Sequence, residues 1–171
     1  MKLKLLVAGL MFAASFAASA TDYNLGTLDG SDFDTLSDKS AKFAANHSIS
    51  DNWSFQLTTT SYTTVSASQA FAVSEHAIAN FNGELFNASN VSLGALDFGL
   101  VGNTQVLDWH GLLSAGNYYV HFTGDTYVNN IRYQTSVAAA PIPEPETYGM
   151  MLGGLALVGV VAARRKAKQA A

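Results

Sequence analysis

The side chains best able to do chemistry in this chain are dispersed, and their spacing excludes more than it offers. His47, His76, His110 and His121 stand far apart, and Glu75-His76 is not followed by a second histidine one helical turn on, as a His-Glu-x-x-His zinc helix requires. The chain has no cysteine, which excludes disulfides, thiolate metal centres and a cysteine nucleophile. Ser114, in Leu112-Leu113-Ser114-Ala115-Gly116, lacks the glycine two positions earlier that a nucleophile elbow needs for its sharp turn, so an ordinary turn ahead of a strand is expected there. Asp97 and Asp108 are available as a carboxylate pair for a secreted hydrolase, though nothing in their spacing singles them out. The densest acidic run, Asp29, Asp32, Asp34 and Asp38, supplies the oxygen ligands calcium prefers. Asp29, Asp32 and Asp34 are therefore candidate calcium ligands. The periodicity and closing glutamate of an EF-hand are absent, and solvated turn aspartates are the simpler expectation. No catalytic residue and no cofactor is assigned.

More of the functional information lies at the two ends. Residues 1–20, MKLKLLVAGLMFAASFAASA, run from Lys2 and Lys4 through an uncharged apolar stretch to Ala18-Ser19-Ala20. A charged start, an apolar middle and a small-residue close are the parts of a secretory signal peptide, so signal peptidase is expected to cut between Ala20 and Thr21. The far end has three blocks: Pro141-Ile142-Pro143-Glu144-Pro145-Glu146-Thr147, uncharged residues 148–163, and a basic end at 164–168 with Arg164, Arg165, Lys166 and Lys168. Proline has a fixed φ and no N–H, so the first block is an extended, accessible joint. As a helix the second block would rise roughly 24 Å, short of the ~30 Å hydrocarbon core. A short transmembrane helix there needs snorkelling or local thinning of the bilayer. The cationic block acts as a basic stop held in the cytoplasm, leaving residues 21–147 outside.

Pro143-Glu144-Pro145, followed by that apolar span and Arg164-Arg165-Lys166, resembles a PEP-CTERM sorting signal over residues 141–168. The resemblance implies an exported bacterial protein, anchored in the inner membrane by its C-terminal helix until an exosortase, a membrane transpeptidase-like enzyme, removes the tail near the Pro-Glu-Pro segment. It further implies delivery to the cell surface or extracellular matrix, and an association with exopolysaccharide and biofilm. Within the module, Asn24-Leu25-Gly26, Ile49-Ser50-Asp51-Asn52-Trp53-Ser54-Phe55 and Leu113-Ser114-Ala115-Gly116-Asn117-Tyr118-Tyr119 resemble the FxDxF group of PEP-CTERM proteins. Ile49 and Trp53 stand where that motif has its two phenylalanines.

Between the ends, residues 21–140 are enough for one domain with one core. Lys39, Lys42 and Arg132 face eleven carboxylates in this stretch, a formal charge of −8 that the whole-chain −4 conceals. Three scattered cations give no electrostatic footprint for nucleic acid. Trp53, Phe55 and Leu57 alternate with Ser54, Gln56 and Thr58, the two-residue period of a half-buried strand, with Ile49 on the same inward face. Asp51 is expected to accept backbone hydrogen bonds at the strand entrance. Further strand-like pieces recur every 8 to 12 residues, with breakers or turns expected at Gly83, Asn87, Gly94, Gly102-Asn103, Gly116-Asn117 and Gly124-Asp125. A helical turn is expected within residues 67–79. Roughly eight short strands after an opening segment of short strands and turns predict an all-β fold, a single β-sandwich or jelly-roll-like domain flanked by the signal peptide and the short transmembrane helix. The leading expectation is a non-enzymatic surface or matrix protein. The alternative is a carbohydrate-binding module stacking sugars on Trp109, Tyr118, Tyr119 or Tyr127, and a secreted hydrolase is a third class.

Overall fold

The computed structural model describes residues 20–142 and 149–159. The first of these segments forms ten strands: β1 (Thr21–Leu28), β2 (Asp34–Lys39), β3 (His47–Leu57), β4 (Ser61–Ala70), β5 (Ala79–Asn87), β6 (Ser92–Ala95), β7 (Asp97–Val101), β8 (Thr104–Leu113), β9 (Gly116–Thr126) and β10 (Gln134–Ala140). They assemble into two five-stranded sheets, in the orders β1-β3-β9-β5-β6 and β2-β10-β4-β8-β7. Every pairing is antiparallel except that of β1 with β3, which is parallel. The two sheets share one core, so the fold is a β-sandwich.

Sequence alternation sets this packing. Along β3, Ile49, Asp51, Trp53, Phe55 and Leu57 are buried, while the intervening residues are exposed or half-buried. Val120 and Phe122 of β9 and Leu85 of β5 extend the inner face of that sheet, and Val65, Leu107, Val137 and Ala139 meet it from the other. Each fully buried side chain of this size contributes about 1.5–3 kcal/mol relative to exposure. With no disulfide available, this burial carries the stability.

The turns were harder to read than the strands. Gly102 and Asn103 do form the two-residue loop joining β7 to β8, with Gly102 at φ 57 in the first loop position, as a II′ hairpin requires. Asn87 ends β5 and accepts the backbone N–H groups of Ser89 and Val91 on its side chain. Gly83, Gly94 and Gly124, however, lie inside strands. A Cβ on Gly124 would sit 2.6 Å from Ile78 Cγ2, and one on Gly83 would sit 2.8 Å from the Phe122 ring. Those glycines mark close approach rather than chain reversal. The turn expected at Gly116-Asn117 is made by Ser114 and Ala115, with Gly116 already in register with Leu57. Within residues 67–79, β4 continues to Ala70 and the only helical geometry is the 3₁₀ turn Ser74–His76.

Residues 149–159, inside the expected span 148–163, are helical. Among the described residues no helix is long and apolar enough to cross a membrane.

Candidate functional site

The residues expected to direct sorting fall largely outside the described segments: this holds for Pro143, Glu144 and Pro145, for Arg164, Arg165 and Lys166, and for residues 1–19. Of the expected cleavage pair, Ala20 precedes the sandwich and Thr21 opens β1, in register with Asp51.

The candidate calcium ligands are engaged in holding their own loop. Asp29 Oδ1 accepts from the Ser31 N–H at 3.0 Å and from the Thr58 hydroxyl at 3.2 Å. The Asp34 carboxylate accepts from the N–H groups of Asp29 and Thr35, and Asp32 accepts from the N–H of Phe33. The backbone donor from Ser31 is the main reason the Asp29 carboxyl is held below the usual carboxylate range. Among the described residues no three His, Asp or Glu side chains gather closely enough to hold a metal ion. His121 Nδ1 lies 2.8 Å from Asn52 Oδ1 on the outer face of the first sheet, and His110 lies 3.7 Å from Asp108 on the outer face of the second. Asp97 and Asp108 do come together, directly opposite one another across β7 and β8. They lie on the outward face of a sheet edge, and neither lines the clefts described next.

The four candidate sugar-stacking aromatics divide by strand parity. Trp109 and Tyr118 face the core: Trp109 packs against the buried cluster with its ring over Gly111, and Tyr118 stacks on Phe55 with centroids 5.6 Å apart. Tyr119 points outward, stacked on Phe86 at 5.1 Å with its hydroxyl donating to Asn90 Oδ1, and Tyr127 is exposed after β9. Tyr119 and Asn90 line a shallow outer-face cleft of about 410 Å³ with Asp22, Tyr23, Asn52 and Ser54.

A second cleft, of about 400 Å³, opens at the end of the other sheet, where β2, β4 and β10 meet the loop ahead of β10. Lys39, Arg132 and His76 line it, with Gln69, Phe71 and Asn130. Gln134 pairs with both Lys39 and Ser68, which brings distant segments to one rim. In sequence the module's three cations are scattered. The pairing of β2 with β10 could not be read from local pattern, yet it places two of the three beside one cleft.

Between the sheets, the Trp53 indole N–H donates to Tyr133 Oη at 2.8 Å, and the Tyr133 hydroxyl donates to Asp51 Oδ2 at 2.7 Å. All three residues are buried, Asp51 being only 1 % exposed. Asp51 thus serves the core rather than the strand entrance, because its position on β3 has inward parity. Burial is the main cause that raises its pKa, opposed by the Tyr133 hydrogen bond. Burial, followed by the Asp51 charge, raises that of Tyr133, which therefore remains a donor.

Comparison with known proteins locates the functional signal at the C-terminal end. No curated protein matches the chain. Among solved structures, the chain is similar to the pre-peptidase C-terminal domain of collagenase from Bacillus anthracis at 13% identity and TM-score 0.46, covering 70% of this chain and 94% of that one. It is also similar to CBM35 from Cellvibrio japonicus Abf62, at 20% identity and TM-score 0.33, covering 57% and 72%. A β-glucosidase from Paenibacillus barengoltzii matches at 14% identity and TM-score 0.36, over 71% of this chain and only 11% of the glucosidase. What the sandwich binds must therefore be read from its own surface. Residues 141–166 match the family model described as the PEP-CTERM protein-sorting motif. The chain thus carries a PEP-CTERM sorting motif at residues 141–166, a signal that implies export and an exosortase as processing partner.

Proposed function

We propose that this is a non-enzymatic surface or matrix protein, whose acidic sandwich at residues 21–140 is the delivered module and whose two ends are removable addresses. Signal peptidase cuts between Ala20 and Thr21, the apolar residues 148–163 hold the chain in the inner membrane with Arg164, Arg165 and Lys166 as the basic stop, and exosortase cuts near Pro143-Glu144-Pro145. The module then serves a structural or adhesive role in exopolysaccharide or biofilm. The sorting motif at residues 141–166 carries this reading. Two features of the sandwich support it: its first strand begins at Thr21, and its last ends at Ala140, one residue before the motif. Replacing Pro143, Glu144 and Pro145 together by alanine is expected to leave the chain in the inner-membrane fraction with its tail attached. Unchanged delivery to the surface would contradict the proposal.

A second reading, a carbohydrate-binding module, draws support from Tyr119. Tyr119 lies outward in a cleft, beside the hydrogen-bonding side chains of Asn52 and Asn90. Polysaccharide pull-down with Tyr119→Ala and Trp109→Ala separates roles: only Tyr119→Ala should lose binding without loss of stability, because Trp109 packs on the core.

A further inference from the structure

The two open sheets end in four edge strands, β1, β6, β2 and β7, and three of them are guarded against further pairing. β1 carries a register irregularity between Asn24 and Gly26, β6 is four residues long and shifts in register against β5, and β2 bears Asp34, Asp38 and Lys39. Bulges, brevity and charge are the usual devices that stop an edge from recruiting another strand. β7 is the exception. Its register with β8 is unbroken, it holds no proline or lysine, and its one charged residue, Asp97, stands at its start.

β7 also carries apolar side chains that the sandwich leaves bare. Phe98 and Leu100 stand opposite Leu107 and Gln105, both buried, so they belong to the inner face of their sheet. They are nonetheless 56% and 59% exposed. The facing edge strand stops short of them: Gly94 of β6 rests against Trp109 of β8, one strand before β7. The backbone adds a second, independent observation. The two-residue loop Gly102-Asn103 makes Val101 and Thr104 a hydrogen-bonded closing pair, and the ladder alternates, so Gly99 and Asp97 also direct their backbone groups to β8. The N–H and C=O groups of Phe98 and Leu100 therefore point to the free edge, where no described strand pairs with them.

We propose that a second copy of this chain occupies that edge, β7 pairing antiparallel with β7 of the second copy about a two-fold axis at Gly99. The strand's own sequence selects this occupant. The register that pairs all five residues sets Phe98 against Leu100 of the second copy and Leu100 against its Phe98. These are hydrogen-bonded pairs with the backbone direction already in place, and each is an apolar cross-strand contact on the inner face. Gly99 opposes its own copy with no side chain to collide. Asp97 opposes Val101 of the second copy, and the two Asp97 positions lie roughly 14 Å apart along the strands, beyond the ~10 Å Debye length at 0.1 M salt. Two modules of formal charge −8 therefore meet without like charges in contact at the seam. A five-residue edge is small against the ~1,200 Å² at which stable interfaces begin, so the pairing is weak in dilute solution and gains strength where many copies stand on one surface. The inference concerns the module alone and holds whether or not the tail is cut.

The chain has no cysteine, so a single introduced one reports its own neighbours. A Cβ at Gly99 meets nothing nearer than the Val106 carbonyl oxygen at 4.0 Å, so Gly99→Cys leaves the sandwich intact. In the proposed register position 99 faces its own copy in a non-hydrogen-bonded pair, with Cα atoms about 4.5 Å apart and within disulfide reach, whereas positions 97 and 101 each lie roughly 14 Å from their copies. The test is oxidative cross-linking of the full chain in mild detergent, at matched concentrations of Gly99→Cys, Asp97→Cys and Val101→Cys, read as dimer on non-reducing gels. Gly99→Cys is expected to dimerise about tenfold faster than either of the others alone, and an equal mixture of Asp97→Cys with Val101→Cys to link as well, because those positions oppose each other. Adding Leu100→Lys to Gly99→Cys should remove the advantage with the melting temperature unchanged, Leu100 being exposed. Equal rates at all three positions, as association through the apolar tails would give, no dimer from Gly99→Cys, or a dimer indifferent to Leu100→Lys would each overturn the proposal. Linkage of Gly99→Cys on host cells to a chain of different mass, with no self-linked dimer, would assign the edge to another protein and overturn it too.

Discussion

Tyr133→Phe is the most informative single perturbation of this fold. The substitution removes one oxygen and leaves the ring in its place against Trp53, Phe122 and Phe81. That oxygen accepts from the Trp53 indole and donates to the Asp51 carboxylate, so its loss strands two buried groups at once. An unsatisfied neutral donor costs about 1–3 kcal/mol, and a lost hydrogen bond to a charged acceptor about 1.5–3 kcal/mol. A loss of about 3–5 kcal/mol is therefore expected, a large share of the roughly 5–15 kcal/mol that holds a domain folded. The assay is urea unfolding followed by tryptophan fluorescence. The chain has two tryptophans, Trp53 and Trp109, and both lie in the sandwich, so the signal reports on this module within the full chain. The deficit should shrink as pH falls toward the ordinary carboxylate range, because a protonated Asp51 is cheaper to leave without a donor. A deficit under about 1 kcal/mol, or one that grows on acidification, would refute the account of a sealed hydrogen-bonded chain through the core.

Other consequences concern charge and close packing. The folded-state pKa of Asp51 is raised, so the fold holds more protons than the unfolded chain in the window above the ordinary aspartate value. Its contribution to stability is therefore fully present below the unfolded pKa and is lost as pH rises through the folded one. Asp51→Asn should remove this slope, its stability relative to wild type rising with pH above the ordinary aspartate range in paired urea titrations; parallel pH profiles would rule the mechanism out. Gly124→Ala should destabilise by about 1–3 kcal/mol in the same assay, because the new methyl meets Ile78 Cγ2 inside a packed core. A neutral result would mean that Ile78 moves aside freely.

The parts of this molecule that the sequence revealed are those governed by local pattern. Trp53, Phe55 and Leu57 alternate with polar residues because the strand has a two-residue period and one dry face, and all three are buried. The sorting motif is contiguous, so it too was legible. Gly83, Gly94 and Gly124 misled, because a glycine that opens a turn and one that admits a neighbouring side chain look alike in sequence. Asp51 misled because a lone aspartate in an apolar strand reads as an entrance cap, whereas Tyr133, 82 residues away, makes its inward position tolerable. The cationic cleft was invisible for a related reason. Lys39, His76 and Arg132 meet only through pairing across the sheet and a loop, and no local spacing encodes that. The nearest available hint was compositional: with only three cations in an acidic module, the position of each has consequence.

The central claim is that both ends of the chain are addresses removed in turn, and it is tested most directly by the intact mass of the protein recovered from the outer surface or medium of its native host. The account predicts a species that starts at Thr21 and has lost its tail from the Pro143-Glu144-Pro145 region. A species in the inner membrane that retains Arg164, Arg165 and Lys166 as its final form would contradict it.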